Sequence, residues 1–212
     1  MAVHRVKLVT TEARLCYVNV FTPRVSTISK NQEAKYSVML LIPKTDKEGI
    51  LAIQKALAEV KKENTSLFSQ SSAVFNIPLK DGDEKRKIEG EFDDSGNPVT
   101  TTEYVKKGEE FRGHYYISLS DLAKPTVILQ KGGVPAQQKD VYSGCYGRAM
   151  VTFFPYAKKE SRGISAGFTG LLITKDGESL EGGASEAEVM NEFASFIKPV
   201  SDTDLMNELM GL

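Results

Sequence analysis

The chain has 212 residues, 41% hydrophobic and 26% charged, a composition that fits one sizeable globular core and excludes a disordered chain. Two cysteines and two histidines exclude a disulfide framework and a His-rich zinc site, and the longest apolar run, Val38 to Ile42, is far too short to span a membrane. The net charge of −1 hides a split: residues 171–212 hold nine acids against two bases (−7), which leaves 25 bases against 19 acids (+6) in the rest of the chain.

In chain order, "VKLVTT", "LCYVNVF" and "KYSVMLLIP" are rich in β-branched and aromatic residues and end at Pro23 and Pro43, so residues 3–22 and 35–43 are expected to be extended. The third run is apolar on both faces, as a buried strand is. After Pro43 the period changes to 3.6: Ile50, Ile53, Leu57 and Val60 form one stripe, with Lys55, Lys61 and Lys62 away from it. Thr45 and Glu48 have capping-box spacing, which predicts an amphipathic helix over about 46–63.

Charge, glycine and turn formers crowd residues 79–111, predicting a long loop or hairpin. "FRGHYYISLS", "PTVILQ", "VYSGCYGRAMVTFFPYA" and "GISAGFTGLLIT" read as further strands. A second helix is expected over about 185–197, capped by Ser185 and Glu188, with Val189, Met190, Phe193, Phe196 and Ile197 as its apolar face. Many short strands without βαβ alternation predict a mainly β protein, a small barrel or sandwich. Residues 1–198 read as one domain, followed by an acidic, hydrophobic tail over 199–212.

Alternate side chains of a strand point to opposite faces. In the run 141–157, Val141, Ser143, Cys145, Gly147, Ala149, Val151 and Phe153 form a small or apolar side. Tyr142, Gly144, Tyr146, Arg148, Met150, Thr152 and Phe154 form the other. A bulge at Gly144 or Gly147 would exchange the two. The same partition sets Cys16, Val18 and Val20 against Tyr17, Asn19 and Phe21, and Tyr115, Ile117 and Leu119 against Arg112, His114, Tyr116 and Ser118.

Rings on a sheet surface stack on any base, and cations add the phosphate contacts, so these faces fit a single-stranded nucleic acid. Arg5, Lys7, Arg14, Arg24, Lys30 and Lys35 supply charge near the first strands, and Lys158, Lys159 and Arg162 just beyond the 141–157 run. Packing against a second layer is the competing reading of the same rings, and solvated surface that of the cations. "DGDE" at 81–84 lacks the spacing of a calcium loop and reads as a turn. Cys145 reads as a buried structural thiol, and no catalytic constellation, cofactor motif or metal site is evident.

Seven segments occur in an order that resembles a known family: "RLCYVNVFTPR", "KYSVMLLIPK", "PLKDGDEK", "GHYYI", "YSGCYGRAMVTFFPY", "GISAGF" and "DGESLEGG". Together they resemble the phage-encoded single-stranded-DNA-binding proteins of OB fold, long catalogued as a domain of unknown function, over about residues 5–195. The chain departs from the family in lacking asparagines after "GISAGF" and in a longer, more acidic 86–111 segment.

The resemblance implies a five-stranded OB barrel with added strands, which binds single-stranded DNA with little sequence preference in phage replication or recombination. It implies no catalysis, no cofactor and the cytoplasm of an infected bacterium. The proposed contacts are Arg14, Tyr17, Asn19, Phe21, Arg24, Lys35, Arg112, His114, Tyr116, Tyr142, Tyr146, Arg148 and Phe154. Asp202, Asp204, Leu205, Glu208 and Leu212 would recruit replication or recombination proteins, or a short terminal helix would pack Leu205, Met206 and Leu209 onto the body. Duplex DNA, RNA, homo-oligomers and a role as a phage assembly protein stay open at this level.

Overall fold

The β-branched and aromatic runs form nine strands among the described residues: β1 (Val6–Val9), β2 (Ala13–Val25), β3 (Ala34–Pro43), β4 (Phe75–Asn76), β5 (Leu79–Asp81), β6 (His114–Asp121), β7 (Thr126–Leu129), β8 (Tyr146–Ala157) and β9 (Arg162–Lys175). Helices α1 (Lys47–Glu63), α2 (Thr65–Phe68) and α3 (Glu186–Phe193) join them. The structure, a computed structural model, describes residues 3–25, 33–69, 75–83, 95, 108–158, 161–180, 186–194 and 196.

Strand β3 ends at Pro43, whose missing N–H stops the ladder, and α1 starts four residues later. Its cap is Asp46 rather than Thr45: Asp46 Oδ1 accepts the Gly49 N–H at 2.9 Å, and Thr11 Oγ1 donates to Asp46 Oδ2 at 2.5 Å. A carboxylate at the helix N-terminus also meets the positive end of the dipole, which a hydroxyl does not. Ile50, Ile53, Ala56, Leu57 and Val60 are buried along one stripe, and α1 lies against β1 and β8.

Five segments enclose the core. Strands β2 and β3 pair antiparallel, β3 pairs β6, β8 pairs β9, and β1 pairs β8. The first segment bends between β1 and β2 so that it meets β8 on one side and β3 on the other. Buried Thr10 stitches this corner: its Oγ1 accepts the Ala149 N–H and its own N–H donates to Ala149 O, both at 3.0 Å. The circle closes where β9 meets the end of β6, and a Cβ on Gly167 would lie 3.1 Å from Asp121 Oδ2.

This is the OB barrel with added strands β4, β5 and β7. Leu15, Val20, Leu40, Ile42, Ile117, Leu119, Val151, Phe153 and Phe168 fill it. Burying one such side chain contributes about 1.5–3 kcal/mol.

Alternation in β8 holds along its whole length. Ala149, Val151 and Phe153 are wholly buried, whereas Arg148 and Met150 are exposed and Phe154 is half-buried. The two register shifts in the β8–β9 ladder place the extra residues, Thr174 and Thr169, in β9. The glycine of β8 serves a close approach instead: a Cβ on Gly147 would lie 2.7 Å from Leu172 O.

Strand β2 departs from simple alternation. Cys16 pairs with Met39 and Asn19 with Ser37, so Tyr17 and Val18 together oppose Val38, and Tyr17 takes φ 51°. The bulge moves Cys16 off the Val18–Val20 side. Cys16 packs in a second cluster with Met39, Leu41, Phe111 and Tyr116, while Val20 joins the main core. A second irregularity, between Asn19 and Arg24, turns Phe21 back against the main core.

Residues Met1–Leu180 form one compact unit and Glu181–Leu212 another. In the second unit α3 carries Met190 and Phe193, and Phe196 follows it; all three are exposed. Ser185, Ile197 and the expected tail residues Asp202, Asp204, Leu205, Glu208 and Leu212 lie outside the described residues, as does most of the 79–111 segment beyond β5.

Candidate nucleic-acid interface

Residues of β6, β8 and β9 and of the short strands β4 and β5 line an open groove of about 720 Å³. Its floor is Tyr116, Ser118 and Ser120 of β6 with Ile164, Ser165 and Ala166 of β9. One wall is Asn76, Ile77, Pro78 and Lys80, and the other is Phe154 and Tyr156 of β8, followed by Lys158 and Ser161. Lys35 of β3 also lines it. Among the described residues no Asp or Glu does, so the described lining carries three ammonium groups, and a concave wall concentrates their potential.

The wall made by β4 depends on Gly163. Asn76 and Gly163 pair in parallel, and Gly163 has φ 153°, where a side chain is rarely accommodated. A Cβ there would collide with the Asn76 carbonyl. Lys80 reaches the groove because β5 pairs with β6, Lys80 opposite Tyr116.

Of the thirteen sequence-derived contacts, Lys35, Tyr116 and Phe154 line this groove. Tyr116 is only 5% exposed because Phe111, on a 3-10 turn (Glu109–Phe111), packs edge-on against it at 5.2 Å. It therefore offers the groove an edge rather than a free face. Arg24 pairs across the ladder from Lys35 and is exposed.

The rest are elsewhere. Tyr17, 51% exposed, lies nearly parallel to Phe111 with centroids 6.5 Å apart, over the second cluster. Asn19 fastens the bulge, its Nδ2 donating to Tyr17 O at 3.0 Å and Ser37 Oγ at 3.3 Å. Phe21 packs on the core. Arg112 pairs with Glu109 at 2.9 Å, and a ring nitrogen of His114 is 2.7 Å from Arg112 O, at the opposite end of β6 from Ser120.

The ringed side of the 141–157 run is divided. Tyr142 precedes β8; its hydroxyl lies 2.9 Å from Gly177 O and 3.2 Å from Asp176 Oδ1, and accepts the Gly177 N–H at 3.1 Å. Burial holds that phenol above its ordinary value, so it stays protonated. Arg14 ties the same loop, donating from Nη2 to Glu178 O at 2.8 Å. Tyr146 carries Lys175 Nζ 4.5 Å above its ring. Arg148 and Met150 line a separate, largely apolar groove of about 440 Å³ with Val9, Ile128 and Leu172.

Sequence reasoning missed Tyr156 and Lys80, which line the groove. Tyr156 needed only two more residues of the alternation that placed Phe154. Lys80 has no local signal, since only the β5–β6 pairing brings it in. Lys44 Nζ sits 2.5 Å from Asp81 Oδ1 and 2.7 Å from Asp83 Oδ2, and Asp83 accepts the Gly113 N–H, so these two carboxylates of "DGDE" organise a turn. Cys145 is fully buried, and burial pushes its thiol up.

The fold and parts of the sequence recur in phage proteins. Protein p50 of Acyrthosiphon pisum secondary endosymbiont phage 1 is 28% identical over 185 residues, covering 84% of this chain and 88% of that protein. The single-stranded DNA-binding protein from bacteriophage Enc34, as a C-terminal truncation, superposes with a TM-score of 0.59 at 20% identity, covering 82% of this chain and 88% of that one. The same phage protein in complex with single-stranded DNA gives 0.57 at 22% identity, covering 82% and 89%. The model of the Enterobacter phage Enc34 single-stranded-DNA-binding protein family matches residues 6–206, and the chain belongs to that family.

Proposed function

We propose that this chain binds single-stranded DNA along the groove between β5–β6 and β8–β9, without catalysis and with little sequence preference. The observation that carries the reading is a groove with two outward rings, Phe154 and Tyr156, three lysines and, among the described residues, no acidic lining residue, on a chain of this family. The rings offer π-faces to bases of any identity, at about 1–3 kcal/mol per stacked base. Lys35, Lys80 and Lys158 take phosphates, and the serine hydroxyls of the floor meet base edges or sugar.

The protein would coat single-stranded DNA during phage replication or recombination in the host cytoplasm. The acidic C-terminal segment, with Asp202, Asp204 and Glu208 beside Leu205 and Leu212, would recruit partner proteins and compete with DNA for the cationic groove. Polarisation of a labelled oligothymidine across a salt series tests the reading, with the matched RNA and a duplex as competitors. Affinity that falls steeply with salt and is poorly competed by duplex is expected; no binding at low salt would sink it.

A further inference from the structure

The ring of Phe154 has a second neighbour that does not line the groove. Arg5 immediately precedes β1, and Val6 pairs with Phe153, so Arg5 stands beside Phe154 on the outward side of the sheet. Its guanidinium carbon lies 5.6 Å from the Phe154 centroid. Arg5 is exposed, and among the described residues it makes no ion pair.

The backbone just before it is firmly held. Buried Asn64 accepts the His4 N–H at Oδ1 and donates from Nδ2 to His4 O, both at 3.1 Å, and Nδ2 also lies 2.7 Å from Val60 O. The main chain is thus anchored to the end of α1 while the side chain rests on one ring.

We propose that Arg5 and Phe154 form a clamp that closes on a single base, with Arg5 stacking on the face of the base opposite the ring. The inference rests on the groove reading above and adds to it a second contact surface for one nucleotide. A base between two flat groups needs about two van der Waals layers of 3.5 Å, or roughly 7 Å. The present 5.6 Å must therefore widen by about 1.4 Å, a small movement for an exposed arginine side chain. In the absence of DNA the cation covers the ring; with DNA it exchanges that face for the π-surface of a base, which Arg stacks on more effectively than Lys does. Among the described groove-lining residues no acid competes for it.

The test uses the full chain with the substitutions Arg5→Ala, Arg5→Lys and Phe154→Leu, and the double change Arg5→Ala with Phe154→Leu. Affinity is measured for oligothymidine and for an abasic oligonucleotide of equal length. Arg5→Ala should weaken oligothymidine binding about fivefold to tenfold, Arg5→Lys should recover less than half of that loss, and the Arg5→Ala effect should shrink below twofold in the Phe154→Leu background and on the abasic strand.

Full recovery by lysine, additive losses in the double variant, or an equal loss on the abasic strand would reduce Arg5 to a phosphate contact and overturn the clamp. Wild-type protein that binds no single-stranded DNA would overturn the groove reading itself, whereas wild-type binding untouched by Arg5→Ala would overturn the clamp alone. Thermal melts of the Arg5→Ala and Arg5→Lys variants should match the wild type, since Arg5 is exposed.

Discussion

If the groove lysines hold phosphates, removing them one at a time must change how binding responds to salt. Each phosphate neutralised on a single strand adds about −0.7 to the slope of log affinity against log salt, so Lys35, Lys80 and Lys158 together predict a slope near −2. Between 50 and 200 mM salt that is a loss of about 20-fold in affinity for the wild type, and about sevenfold for a protein with one lysine removed. The perturbation is Lys→Gln at each position, read by polarisation of a labelled oligothymidine at five or more salt concentrations.

None of the three lysines forms an ion pair among the described residues, so stability should change by no more than about 0.5 kcal/mol. Arg148→Gln is the counter-test, because Arg148 lines the other, apolar groove, and its slope should equal that of the wild type. Unchanged slopes in all three lysine variants, together with a reduced slope for Arg148→Gln, would refute the reasoning and move the phosphate path to the other side of β8.

Adjacent residues of β8 should fail in different assays. Phe153→Ala empties a fully buried site and should cost about 3–5 kcal/mol in urea denaturation, whereas Phe154→Ala should keep the urea midpoint and lose about 1–3 kcal/mol of DNA binding. Glu12, bonded to Lys175 Nζ at 2.6 Å and Thr174 Oγ1 at 2.7 Å, has its carboxyl held below the ordinary 4.5, first by the Lys175 hydrogen bond. Its contribution to stability is therefore present above pH 4.5 and lost as pH falls through the lower folded value. Glu12→Gln should be less stable than wild type at pH 7 and equal to it at the acid end of a denaturation series. Deleting residues 200–212 removes Asp202, Asp204 and Glu208 and should tighten oligonucleotide binding at low salt with unchanged melting; unchanged affinity would end the idea that the tail competes for the groove.

What the sequence made legible was local geometry, and what it hid was pairing. The buried and outward sides of β8 follow from its own pleat, and the irregularities of the β8–β9 ladder sit in β9, so nothing in the neighbour could disturb the division of Phe153 from Phe154. Strand β2 had no such protection. Its bulge rests on Tyr17 at φ 51°, a conformation usually signalled by glycine or asparagine, and no residue there announces it; Cys16 was assigned to the wrong side for that reason, and Phe21 because of the second irregularity, between Asn19 and Arg24.

The groove was hidden more deeply, because its walls come from strands of two and three residues, β4 and β5. These are too short to carry a period, and they are seated only by Gly163 and by the pairing of Lys80 with Tyr116. Alternation can say that a ring faces outward, but whether the ring becomes a binding surface depends on what the ladder sets beside it. Tyr116 faces outward and is covered by Phe111; Tyr146 faces outward and meets Lys175. Phe154 also faces outward, and it stands in a groove whose described lining holds three lysines and no acid. The groove is thus a property of neighbours distant in the chain, which is why three of thirteen candidate contacts converge on it while the fold that carries them was readable from end to end of the barrel.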